Sequence, residues 1–251
     1  MKKVILLTPI FLIILLACNQ VPTKSDSMAK NLAGINYMNE SKYEQALQEF
    51  TEAVKNPLLD DDTRGVIYRN IALTYGEMQN HDSAVHFYTI AAKVYEKNSY
   101  GYLVNMAGAD LQNGKTQNAL TRLLKAAAIN PEELGVNNAL GLIYLGDYDD
   151  AFADPEKALP YNKKANELSS GRVTEDILGR NYYELGNYTT AAMYYEKLHS
   201  QYPGNLNYTY NCGMIKYKLN RNEDAEELFN QVIAQDSSYK ERIGIFKENN
   251  R

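Results

Sequence analysis

The sequence predicts an all-α chain, an α-solenoid of stacked helix pairs, and three observations carry that expectation. Residue types recur at a step of 34: Leu178-Gly179 with Cys212-Gly213, Ala191 with Ala225, and Tyr195 with Phe229. A small residue holds one helical position again and again, at Gly34, Ala72, Ala107, Gly141, Gly179 and Gly213. The composition, 45% hydrophobic and 23% charged over 251 residues, is that of a globular chain. A unit of one helix pair cannot bury its apolar face alone, so successive units stack and share a core.

The chain starts with a segment of a different kind. Lys2 and Lys3 precede an apolar run from Val4 to Leu16, interrupted only by Thr8 and Pro9. That run is well short of the roughly 20 residues a membrane-spanning helix needs. A basic start and a short apolar run read as an export signal over residues 1–17. Leu15-Leu16-Ala17-Cys18 resembles the lipobox of bacterial lipoproteins. The resemblance implies cleavage before Cys18 and lipidation of Cys18, with Leu16 standing where a smaller residue is commoner. Loss of residues 1–17 would lower the net charge by two, from −5 to −7. The one other cysteine is Cys212, so lipidation of Cys18 leaves no disulfide within the chain. Residues 18–26 are polar with one proline and read as a flexible tether.

Six repeats follow, over residues 27–239. The first, 27–60, carries Gly34, Tyr37, Ala46, Phe50 and Ala53; the second, 65–98, carries Ala72, Tyr75, Ala84, Tyr88 and Ala91. The third, 100–133, carries Ala107, Ala119, Leu123, Ala126 and Pro131. The fourth, 134–171, begins with Gly141 and Tyr144, but its second half, marked by Ala158 and Ala165, arrives five residues late. The fifth, 172–205, carries Leu178, Gly179, Tyr182, Ala191, Tyr195 and Pro203. The sixth, 206–239, repeats that pattern. Glycine within a helix costs about 1 kcal/mol relative to alanine, so its recurrence needs a compensating close helix contact. Tyr182 and Tyr195 are expected to fill the space beside it, with Tyr183 and Tyr194 partly exposed. Residues 240–251 read as a helix that caps the last repeat.

The order Leu-Gly, Tyr, Ala, aromatic, Pro in the fifth repeat resembles the tetratricopeptide repeat family. The resemblance covers nearly all the chain after Ser27. It implies that the first helix of each repeat lines a concave groove in which an extended peptide or helix lies. Carried onto this register, groove positions fall on Asn31, Arg69, Asn70, Asn105, Asn138, Tyr210 and Asn211, with Tyr183 and Tyr217 adding apolar contact. An amide both donates to and accepts from a peptide backbone, so an asparagine row suits an extended partner. Some family members clamp a carboxylate with groove lysines and arginines. Arg69, Arg180 and Lys218 are too few to reproduce that clamp.

Nothing in the sequence marks a catalytic site. His81, His86 and His199 carry no metal-ligand spacing, and the glycine-rich phosphate loop, the nucleophile elbow and the dinucleotide fingerprint have no counterpart. No cofactor, metal or small-molecule substrate is expected, and a net charge of −5 gives no overall attraction for nucleic acid. The acidic insertion from Gly146 to Glu156 lacks the central glycine and closing glutamate of a calcium loop. It reads as a solvated or partner-contacting loop, with Asp154 capping a helix that opens on Pro155.

The expected function is a non-catalytic scaffold of the bacterial cell envelope, membrane-anchored by its N-terminal lipid, with a protein or peptide partner. In length and plan the chain resembles repeat lipoproteins that assist outer-membrane protein insertion or pilus assembly. Asn19, after the cysteine, points to the outer membrane. The alternative is an accessory regulator or adaptor of an envelope hydrolase or peptidase.

Overall fold

The computed structural model describes residues 22–250. The expected signal segment, 1–17, and the expected lipidation site, Cys18, lie outside the described residues. Among those described, every regular element is helical, and the helices pack in consecutive antiparallel order. The pairs are α1 (Lys24–Asn39) with α2 (Tyr43–Val54), α3 (Asp61–Glu77) with α4 (His81–Lys93), and α5 (Tyr100–Gln112) with α6 (Thr116–Ile129). Next come α7 (Leu134–Tyr144) with α8 (Pro155–Leu168), α9 (Arg172–Glu184) with α10 (Tyr188–Gln201), and α11 (Leu206–Lys218) with α12 (Asn222–Gln235). A last helix, α13 (Tyr239–Glu248), closes the stack.

Residues 24–26, which the sequence assigns to a tether, belong to α1. Thr23 caps α1, accepting from the Asp26 amide while the Asp26 carboxylate accepts from the Thr23 amide, so residues 24–26 are helical rather than flexible. Asn56, 1% exposed, donates to the Thr23 carbonyl and to Ser27 Oγ, both at 3.0 Å, which fixes that helix start to the end of α2.

One contact organises each repeat. A small residue on the first helix meets a large one on the second, sixteen positions later. The ring of Phe50 lies on Gly34, Tyr195 on Gly179 and Phe229 on Gly213. In repeats two and three the same places hold Ala72 with Tyr88 and Ala107 with Leu123, all buried. Fully burying one such ring contributes about 3 kcal/mol. Alanines flank the contact, and Ala46, Ala53, Ala84, Ala91, Ala119, Ala126, Ala191 and Ala225 are wholly buried. A second pairing recurs beside it: Tyr75 stacks on Phe87, Tyr144 on Tyr161 and Tyr182 on Tyr194, with centroids 5.4 to 6.0 Å apart. Tyr195 is 4% exposed, while Tyr182, Tyr183 and Tyr194 are half-buried.

Repeat four departs from this plan. The late second helix brings Asn162 to the place where other repeats carry the large apolar side chain. Its Oδ1 presses against Gly141, and its Nδ2 donates to Asn181 Oδ1 at 2.9 Å. Asn181 in turn donates to the Pro155 carbonyl at 2.9 Å. A buried amide ladder thus stands where its neighbours have apolar packing.

The turns within repeats reverse through a left-handed residue. Gly114 and Gly186 supply it without steric cost, whereas Ser41, Gln79 and Asn220 adopt it with side chains. Repeat four needs a ten-residue link, 145–154, where the fifth repeat uses three residues, 185–187. That link passes through Gly146 and a short 3-10 turn, Asp150–Phe152, before Asp154 caps α8 by accepting from the Lys157 amide at 3.0 Å.

At the far end, Ile243 and Phe246 of α13 cover Tyr210, Phe229 and Val232. Among the described residues no helix is long and apolar enough to cross a membrane.

A candidate groove with three cavities

The first helices of neighbouring repeats touch directly, α1 with α3 and α3 with α5. Three cavities lie along this side. One, of about 900 Å³, runs between α1 and α3 and is lined by Met28, Asn31, Leu32, Ile35 and Val66. A second, of about 360 Å³, sits among α3, α5 and α7 beneath the link of repeat four. A third, of about 430 Å³, lies among α9, α11 and α13.

The expected binding residues divide between these cavities and the core. Asn31 lines the first cavity, and its Oδ1 accepts from Asn70 Nδ2 at 2.9 Å. Arg69, Asn70 and Asn138 line the second. Tyr183 and Asn211 line the third, together with Asp176, Arg180 and Arg242.

Three of the expected residues line none of these cavities. Asn105 is 1% exposed; its amide donates to the Gly101 carbonyl one turn back, at 2.8 Å. Tyr210 is 3% exposed, packed on Phe229 and Tyr239 with the Arg242 guanidinium 4.2 Å above its ring. Tyr217 packs edge-on against Phe246, 5.5 Å between centroids. The capping helix takes the place of a seventh repeat and covers both tyrosines. The asparagine row is therefore broken at its centre, and Asn70, 8% exposed, spends its amide on Asn31.

The structure adds residues the register had not marked. Tyr100 and Glu133 line the second cavity and Arg242 the third. Tyr148, from the link of repeat four, lines the second cavity with Leu73 and Tyr88 of repeat two. The Tyr100 hydroxyl is pushed up to about 12 by burial and by Glu133, against the pull of Arg69. Burial likewise pushes the Asp176 carboxyl above the usual range.

The buried tyrosines are packing groups. Burial drives the hydroxyls of Tyr88 and Tyr195 far above their ordinary values, so they stay protonated and cannot serve as bases. Tyr195 donates to the Asp176 carbonyl at 3.3 Å. Burial pushes the Cys212 thiol up to about 12, which leaves it an inert core residue. His81 meets Gln112 and His199 meets Thr209, each in a local hydrogen bond. Among the described residues no three His, Cys, Asp or Glu side chains converge as metal ligands.

Residues 182–243 match a family model described as tetratricopeptide repeat. Solved structures similar to the chain include TTC0263, a thermophilic repeat protein of that family from Thermus thermophilus. It is 18% identical, with a TM-score of 0.58, covering 75% of this chain and 98% of that one. The Pseudomonas aeruginosa pilF protein is also 18% identical, with a TM-score of 0.63, covering 89% of this chain and 98% of that one. YrrB is 20% identical, with a TM-score of 0.58, covering 79% of this chain and 97% of that one. Likeness at these identities shows the fold. No curated protein sequence matches the chain.

Proposed function

Because the chain has the tetratricopeptide repeat fold, we propose that it is a non-catalytic scaffold that holds a protein or peptide partner in its concave groove, at a bacterial envelope membrane to which lipid on Cys18 anchors it. The observation that carries the groove half is the placement of the cavities. They follow one another along the first helices, and polar side chains, Asn31, Arg69, Asn138 and Asn211 among them, line them. YrrB, described as a repeat protein with an unusual peptide-binding site, supports peptide capture by this fold. The envelope half rests on the sequence: the basic start, the short apolar run and Ala17-Cys18. The outer membrane is the favoured location, from Asn19.

Two experiments separate the halves. Crosslinking in membranes, followed by capture of the full chain, should return a specific partner that is lost when Arg69 and Asn211 are both changed to alanine. Recovery of no specific partner overturns the scaffold reading. Fractionation of a Cys18→Ser variant tests the anchor. Release from the membrane is expected, and full retention overturns lipidation as the means of attachment.

A further inference from the structure

The cavity among α3, α5 and α7 has a wall that its neighbours lack. The ten-residue link of repeat four reaches back so that Tyr148 lines the cavity together with Leu73 and Tyr88 of repeat two. That link is held in place at several points. The Asp147 amide donates to the Leu142 carbonyl at 3.1 Å and the Asp154 amide to the Tyr144 carbonyl at 2.7 Å. The Asp147 carboxylate takes the Arg180 guanidinium of the next repeat at 2.6 Å, and Phe152 packs into the core. The backbone that carries Tyr148 is thus anchored, and its ring, 42% exposed, forms a side wall that makes the groove a cup at this point.

The cup is lined mainly by apolar side chains, with a few polar groups among them. Leu73, Val104, Leu111 and Leu142 line its walls, and the Tyr88 ring packed against Gly108 is part of its lining. Its polar groups are not used up by the fold. Asn138 Oδ1 and the Tyr100 hydroxyl are buried without a hydrogen-bond partner among the described residues. Arg122, Arg180 and Arg221 each hold a carboxylate within 2.7 Å, whereas Arg69 holds none among the described residues. Glu133 pairs with no cation there either. Buried polar groups are ordinarily satisfied, and an orphaned acceptor in a cavity wall marks the place of a missing donor. A volume of about 360 Å³ lies at the small end of the range for ligand pockets.

We propose that this cup seats one apolar side chain of an extended peptide, of leucine to phenylalanine size, with an acidic residue beside it. This rests on the groove reading and deepens it. The apolar side chain enters between Leu73, Leu111 and Tyr148. The half-buried Asn138 side chain turns its amide into the cup so that Oδ1 accepts from a peptide N–H, and the neighbouring carboxylate meets Arg69. Glu133, of opposite charge, sets the direction of the peptide by repelling an acid placed on its side. A phosphate ligand fits less well, because one guanidinium beside a carboxylate offers no anion cluster.

The test uses four labelled octapeptides in a Gly-Ser background, carrying Leu-Glu, Leu-Lys, Ser-Glu or Ser-Lys at the centre, titrated into the full chain and followed by fluorescence anisotropy. The Leu-Glu peptide should bind at least tenfold tighter than the other three. Arg69→Glu should reverse the preference toward Leu-Lys, and Leu111→Arg should abolish binding. Tyr148→Ser, which leaves the helix core untouched, should weaken Leu-Glu binding several-fold, while Met193→Ala, at an exposed position of α10 outside the groove, should not change it. Equal binding of Leu and Ser peptides, no charge preference, or no binding by any peptide overturns the proposal. A membrane partner that crosslinks equally to wild type and Leu111→Arg keeps the scaffold reading but places that partner outside this cup, which also overturns it.

Discussion

The ring of Phe229 lies so close to Gly213 that a Cβ on Gly213 would sit 2.7 Å from the ring edge. The same approach joins Phe50 to Gly34, and Tyr195 to Gly179 with slightly more room. Alanine is the better helix former by about 1 kcal/mol, yet here it must displace a wholly buried ring. Gly213→Ala should therefore destabilise the protein by about 1–3 kcal/mol. Gly244, in α13, faces open space, and Gly244→Ala should stabilise by up to about 1 kcal/mol. Urea melts of both variants read the contrast. Equal effects of one sign would mean that helix propensity, not close contact, governs these glycines.

The amide ladder of repeat four gives a second prediction. Asn181→Ala leaves Asn162 Nδ2 and the Pro155 carbonyl without the partners they have at 2.9 Å, inside the core. An unsatisfied buried group costs about 1–3 kcal/mol. The loss falls at the start of α8, just after the link that carries Tyr148. Amide hydrogen exchange should speed up in the first turn of α8 and in the link while α11 and α12 keep their protection. Unchanged exchange at α8 would show that the ladder does not hold this segment.

Much of this architecture was legible in the sequence, for physical reasons. A repeat signals itself because each unit must solve the same packing problem, so Gly34, Gly179 and Gly213 recur at one place. The five-residue delay of Ala158 and Ala165 correctly located the long link. The sequence did not disclose that Tyr148 of the link meets repeat two, because that contact is between residues distant in the chain and no local pattern records it. The groove positions were legible only in part. Position in the register assigns a side chain to the groove, but Asn105 hydrogen-bonds back to its own helix, and α13 covers Tyr210 and Tyr217. No local pattern records either event. Tyr100 and Glu133 had a signal in principle, since each stands at the start of a first helix beside the cup.

A buried carboxylate ties repeat five together and makes its stability depend on pH. Glu175 is 5% exposed and accepts from Lys197 Nζ at 2.6 Å and from Ser170 Oγ at 2.9 Å. Burial pushes its carboxyl up, but those hydrogen bonds and the Lys197 charge together hold it below its ordinary 4.5. A carboxyl lowered in the folded state stabilises fully above the unfolded value and loses that contribution as pH falls through the folded value. Lys197 is half exposed, so solvent screens much of the pair. Lys197→Met should cost about 1–2 kcal/mol at pH 7, with the gap from wild type closing below about pH 4. A gap that is constant between pH 7 and pH 3.5 in urea melts would assign the loss to packing of the lysine stem.

The capping helix gives the last prediction, and it tests whether stability passes only between neighbours. Phe246 is 8% exposed and meets the rings of Tyr217 and Phe229 edge-on. Phe246→Ala removes that cover at a cost of about 3–5 kcal/mol. In a solenoid each repeat contacts only the next, so the damage should stay local. Amide exchange should rise first in α11, α12 and α13, and the exposed rings of Tyr210 and Phe229 should promote self-association at high concentration. The cup beneath Tyr148 lies two repeats upstream and shares no side chain with the cap, so peptide binding there should persist. If Phe246→Ala instead lowers the melting of all repeats together, the stack folds as one cooperative unit. The third cavity, walled by Arg242 of the same helix, should fail with the cap in either case.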